Sequence, residues 1–98
     1  MIVVRNVFQL KFGKAKDAKA LIKEQQELLK KYGHPPSRFM TYLTGEFYTL
    51  VMETTYENLT AFEKSSQDAM GGKEFGEWYG KFVPLVDSGR REIFSLMD

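Results

Sequence analysis

The chain is 98 residues long, 43% hydrophobic, 28% charged and 14% aromatic, with fourteen Lys and Arg against thirteen Asp and Glu. One domain spanning residues 1–98 is expected at this length, and a net charge of +1 gives no electrostatic reason to expect nucleic acid or an anionic membrane as partner. The lack of cysteine excludes disulfides, thiolate metal ligands and cysteine nucleophiles, and with a single histidine no metal site is expected.

The chain opens directly on an alternating run, without the basic and apolar regions of a secretory signal. No stretch approaches the roughly 18 apolar residues of a membrane span, so a soluble, cytoplasmic protein is expected. In Ile2–Lys11 the even positions (Ile2, Val4, Asn6, Phe8, Leu10) form a core face. The odd face mixes Val3 and Val7 with Arg5, Gln9 and Lys11. That pattern suits a central strand covered on both sides. After the turn Phe12-Gly13-Lys14 the period becomes helical. Ala15, Ala18, Leu21, Ile22, Gln25, Leu28, Leu29 and Tyr32 share one stripe, ended by Lys30, Lys31, Gly33 and Pro35-Pro36. Arg38–Thr44 and Phe47–Thr54 read as a hairpin closed by a tight turn at Gly45-Glu46.

Thr54-Thr55-Tyr56-Glu57 reads as a capping box opening a helix with Leu59, Phe62 and Ser66 on one stripe. Ser65–Gly72 loosens into small and polar residues before a second helical piece carrying Phe75, Trp78, Tyr79 and Phe82. Pro84 is expected to push Val83 out of helical angles. Asp87-Ser88-Gly89 reads as a turn, and Arg90–Met97 as the last strand. Gly71-Gly72-Lys73 lacks the spacing of a phosphate loop.

The order β-α-β-β-α(α)-β predicts an α+β ferredoxin-like sandwich, with helices on one face of a four-stranded antiparallel sheet. The first strand is then central. The uncovered face would carry Val3, Arg5, Val7, Phe47, Val51 and Glu53, an apolar patch that calls for a partner. The expected partner is a second copy, giving a homodimer or a higher assembly of dimers. Arg5 and Glu53 are expected to pair within or across that dimer, with Glu92 as an alternative partner for Arg5.

Three stretches, VVRNVFQLKFGKAKDAKALI, FYTLVMETTYENLTAFEK and EFGEWYGKFVPLVDSGRREIFSL, make the chain resemble the dimeric α/β-barrel superfamily over nearly its whole length. The last of them is similar to its NIPSNAP-like branch. The resemblance implies two ferredoxin-like sheets paired face to face and a small-molecule pocket between each sheet and its helices. The superfamily includes cofactor-independent antibiotic-biosynthesis monooxygenases and heme-degrading monooxygenases. The latter use an Asn on the first strand, matched here by Asn6, and a Trp and a His on later helices. Phe62 and Tyr79 stand at those two places, so no heme and no other cofactor is expected.

Asn6 is the unusual residue of the core-facing register. A buried amide left unsatisfied costs roughly 1–3 kcal/mol, so it must hold a ligand oxygen, a water or a backbone group. Phe75, Trp78 and Tyr79, with Phe62 and with Tyr48 from the third strand, line the expected pocket. At helical spacing such aromatics also read as plain core. Asn6 and Tyr79 are the candidate catalytic groups if the protein is an enzyme. His34 can serve as a general base, although a histidine in a helix-ending turn is more often a surface cap. The expected function is binding of a small apolar or aromatic molecule, with a cofactor-independent monooxygenase or isomerase as the alternative.

Overall fold

The computed structural model of the protein describes residues 1–97, apart from the side chain of Met70. Its elements are β1 (Ile2–Leu10), α1 (Ala15–Lys31), β2 (Ser37–Thr41), β3 (Thr49–Tyr56), α2 (Leu59–Met70), α3 (Lys73–Phe82) and β4 (Val86–Ser95). A single 3₁₀ turn, Val83–Leu85, joins the last two. The strands lie in the order β2-β3-β1-β4, all antiparallel, with helices on one face. This is the ferredoxin-like architecture that the period changes along the chain predict.

The core lies between that face and the helices. Leu10 and Leu50 meet Ala18 and Ile22 of α1 and Trp78 and Phe82 of α3, and an adjoining cluster joins Leu29, Met52 and Ala69. The end of α1 is closed as its composition predicts. Gly33 takes a left-handed φ of 73°, and the amides of Gly33 and His34 bond back to the carbonyls of Lys30 and Leu29.

Several boundaries differ from expectation. The β2–β3 connection is a loop over residues 42–48, so Tyr48 and Phe47 lie outside the strand. Tyr48 sits there at φ 60°, an uncommon conformation for an aromatic residue, with its ring against those of Phe12 and Tyr42. Thr54 to Tyr56 stay in β3, and the cap of α2 is Asn58, whose Oδ1 accepts from the Ala61 amide at 2.8 Å. That helix continues to Met70 instead of loosening at Ser65. Its expected stripe residue Leu59 is exposed. Val83 keeps helical angles, and Pro84 follows early in the 3₁₀ turn, where its missing amide hydrogen is not needed.

Asp87, Ser88 and Gly89 form the start of β4, not a turn. Gly89 is opposite Phe8, and a Cβ there would stand 3.1 Å from the Phe8 ring. Glycine thus makes room for an aromatic ring inside the ladder. The register slips between Gln9 and Leu10, whose partners are Ser88 and Val86, so Asp87 is an extra residue bulged out of the pairing.

On the open face Glu53 accepts from Arg5 Nη2 at 2.9 Å and also pairs with Arg38, so the expected Arg5–Glu53 pair forms within one chain. The two guanidinium groups hold the Glu53 carboxyl below its ordinary pKa, Arg38 more strongly than Arg5. Glu92 faces Arg5 in the register yet bonds to Arg90 instead. Val7 is already 7% exposed in the single chain, and Phe47 belongs to the loop. Of the apolar residues expected on this face Val3 and Val51 remain partly exposed, and Met40 and Phe94 add to them.

His34 is buried, at 7% exposure, and is not a surface cap. Its Nδ1–H donates to the Pro35 carbonyl at 2.8 Å, leaving Nε2 to accept from the Tyr56 hydroxyl at 2.8 Å. This pair ties the end of α1 to β3. Burial lowers the His34 pKa from 6.5 and raises that of Tyr56. The unfolded chain therefore takes up the proton first. The stabilisation is complete above pH 6.5 and is lost as pH falls toward the depressed folded value. Thermal melts should show Tm dropping as the pH is lowered below 6.5, and His34→Gln should flatten that segment of the curve. A wild-type curve that is already flat there would contradict the buried neutral pair.

Candidate functional site

The helices do not cover the sheet evenly. Trp78 is buried, and its Nε1–H donates to the Leu21 carbonyl of α1 at 2.6 Å, while its ring stacks on Phe82 at 4.9 Å. That bond holds α3 against α1. An open cleft of about 530 Å³ remains between α3 and the β1–β4 side of the sheet, within the roughly 300–1,000 Å³ common for small-molecule sites.

One wall of the cleft is aromatic: Phe75, Trp78, Tyr79 and Phe82 of α3. The floor is Phe8, Met52 and Gly89. Phe8 meets Phe82 edge-on at 5.2 Å, so wall and floor join without a gap. Tyr79 is 54% exposed and lies parallel to Phe75, which puts it at the mouth.

Polar residues interrupt this apolar lining: Asp87, Ser88 and Arg90 along β4, and Asn6, Arg91 and Gln25 facing the aromatic wall. Asn6 stands on β1 opposite Met52 of β3 and Arg91 of β4. Its Oδ1 accepts from Arg91 Nε at 2.8 Å, so the amide's partner is a side chain, none of the three kinds the sequence suggests. The Asn6 NH2 group has no protein acceptor among the described residues. Arg91 is fixed a second time, its guanidinium carbon lying 5.3 Å from the centre of the Phe62 ring. Gln25 reaches the cleft from α1. It is 4% exposed, and its Oε1 has no hydrogen-bond partner among the described residues.

Of the expected pocket residues, Asn6, Phe75, Trp78 and Tyr79 come together here. Tyr48 does not, because the loop draws it to the far end of the sheet beside Phe12. Phe62 does not line the cleft either; it packs on Tyr56 at 5.2 Å and supports Arg91 from behind. Gln25 and Arg91 are the contributors that sequence reasoning passed over. Gln25 had a visible signal, being the polar residue in the apolar stripe of α1. Arg91 had none, since its facing depends on the register of β4.

No protein-family model matches the sequence, and no curated protein matches it. Solved structures do. An uncharacterized NIPSNAP domain protein from Burkholderia xenovorans superposes with a TM-score of 0.85 at 12% identity, covering 99% of this chain and 95% of that one. A NIPSNAP family protein with unknown function from Agrobacterium tumefaciens gives 0.87 at 14% identity, covering 96% and 86%. SnoaB, a cofactor-independent oxygenase from Streptomyces nogalater, gives 0.75 at 10% identity, covering 99% and 93%. At these identities the likeness establishes a shared fold. The chain's structural neighbours are thus the NIPSNAP and monooxygenase-type folds that its sequence resembles.

The unpaired Gln25 carbonyl has a measurable consequence. A buried acceptor without a partner costs roughly 1–3 kcal/mol, and a methionine of similar shape removes that cost. Gln25→Met should therefore raise stability by about 1 kcal/mol, or Tm by about 4–8 °C, in a thermal melt. An unchanged or lowered Tm would mean that Gln25 already has its partner in the unliganded protein.

Proposed function

We propose that the protein binds a small, largely apolar aromatic molecule in the cleft between α3 and the sheet. The observation that carries this reading is the Gln25 Oε1, buried without a partner and lining an otherwise aromatic recess. Burial of an acceptor against apolar walls is costly, and a ligand that donates to it would recover that cost. Trp78 and Phe75 supply flat surface, Phe8 and Met52 the floor, and Asn6 with Arg91 the polar end. Tyr79 at the mouth would close over a bound ring.

The same donors favour one alternative. The Asn6 NH2 and the Arg91 guanidinium would stabilise the enolate oxygen of an aromatic substrate reacting directly with oxygen. The fold shared with a cofactor-independent oxygenase supports that reading. Thermal-shift screening with hydroxylated polyaromatics, run beside oxygen-uptake assays, separates the two readings. A binder should gain Tm with no oxygen consumed, and an enzyme should consume oxygen with the same compounds. Asn6→Ala should abolish the response while costing about 1 kcal/mol of stability or less. The cleft is not a ligand site if no compound shifts Tm.

The homodimer belongs to the same proposal. On the open face the row Arg38–Glu53–Arg5–Glu92 contains two charges of each sign. Beside it lie Val51, Met40 and Phe94, the last with Arg5 at 5.2 Å over its ring. A self-neutralised row next to apolar side chains suits burial against a second copy. Light scattering at micromolar concentration should give twice the monomer mass, and Val51→Lys should give the monomer. A wild-type monomer at that concentration would end the proposal.

A further inference from the structure

The polar groups of the cleft divide by sign. Where Asn6 meets Arg91 the free N–H groups are hydrogen-bond donors, while Asp87 and Ser88 lie further back along β4. Asn6 has its Oδ1 engaged by Arg91, and its NH2 is free to donate. Arg91 has spent Nε on Asn6, and its two terminal NH2 groups remain, with four N–H bonds between them. Further inside, Gln25 offers a bare acceptor. The site thus asks for an acceptor at one end of its occupant and a donor along its body.

Charge decides what kind of acceptor. Arg5 and Arg38 share Glu53, Lys31 holds Glu74, Lys81 approaches Glu24 and Arg90 meets Glu92. Arg91 has no carboxylate partner among the described residues. It is an exposed side chain, yet it is clamped by Asn6 at Nε and by the Phe62 ring at its face. Such clamping is unlike a solvated surface arginine, which keeps its rotamer freedom. Asp87 also lines the cleft, but it lies four residues back along β4, roughly 10–13 Å away at strand spacing. The local field at Asn6 is therefore that of a positioned, unpaired guanidinium.

We infer that the occupant is a planar aromatic carboxylate bearing a hydroxyl group. Its carboxylate lies against the Arg91 terminal nitrogens and the Asn6 NH2, its ring against Phe75 and Trp78, and its hydroxyl donates to Gln25 Oε1. A guanidinium fork matches a carboxylate in two parallel hydrogen bonds, which a neutral carbonyl does not reproduce. This inference rests on the cleft being a ligand site, as proposed above, and adds the ligand's charge and hydroxyl to it.

Three probes test it by isothermal titration calorimetry on the full chain: 6-hydroxynaphthalene-2-carboxylate, the matching carboxamide, and naphthalene-2-carboxylate. The hydroxy acid should bind about tenfold tighter than the amide, the difference expected of a charge-assisted pair. Arg91→Gln should erase that preference, leaving acid and amide within about twofold, with Arg91→Lys retaining part of it. Gln25→Met should instead erase the preference for the hydroxylated acid over the plain one, with the acid–amide ratio kept. Equal binding of acid and amide by the wild type would overturn the carboxylate assignment while leaving an aromatic cleft in place. Failure of all three probes to bind would count against the cleft itself. Melting curves of each variant check folding, and the ratio between two probes on one folded sample stays interpretable whatever the variant's stability.

Discussion

The bond from the Trp78 indole to the Leu21 carbonyl sets the shape of everything functional in this molecule. An indole N–H has one hydrogen to give, and here it goes to the backbone of α1. That commits α3 to α1 and keeps it from settling over β4, whose inner side at Gly89 and Arg91 stays open. Stacking of Trp78 on Phe82 then extends the pinned helix toward Phe8. The cleft is the space left by one helix held to another.

Within it, the unusual feature is how the polar atoms that face the aromatic wall are matched. A core is most stable when each buried donor and acceptor is matched. Asn6 meets that standard only by taking Arg91 from the neighbouring strand, and Gln25 does not meet it. Elsewhere the fold is economical about such groups: His34 and Tyr56 satisfy each other, and Glu53 collects two arginines. Ser66 Oγ is the other buried unmatched oxygen among the described residues, and it lies on α2 outside the cleft lining. The contrast between matched and unmatched atoms is what marks the cleft.

Much of this was legible in the sequence where local rules and tertiary packing agree. The alternation of Ile2–Lys11, the stripe of α1 and its glycine-and-proline stop each report a face or an end that the fold keeps. Legibility failed where a side chain from elsewhere decides the outcome. Asp87-Ser88-Gly89 has turn composition, but the Phe8 ring needs the space that Gly89 leaves, so the segment pairs with β1. Gly45-Glu46 looks like a hairpin tip, yet the aromatic contacts of Tyr42, Phe47 and Tyr48 with one another and with Phe12 hold a longer loop. The first residues of β4 set its register against β1, and that register alone decides that Arg91 faces the cleft beside Asn6.

Register also links the two sides of the sheet. Arg5 and Asn6 are consecutive on β1, one facing Glu53 on the open face and the other Arg91 in the cleft. A slip of one residue between β1 and β4 would put Arg90 or Glu92 opposite Asn6 in place of Arg91, the latter placing a carboxylate in the cleft. The bulge at Asp87 absorbs the odd residue on the far side of Gly89, so that Val86 returns to the core face while Arg91 keeps its place opposite Asn6. The ion pairs of the open face and the polar end of the cleft are therefore fixed by the same ladder. Anything that seats on the open face would hold that ladder, and with it the geometry between Asn6 and Arg91, from the opposite side.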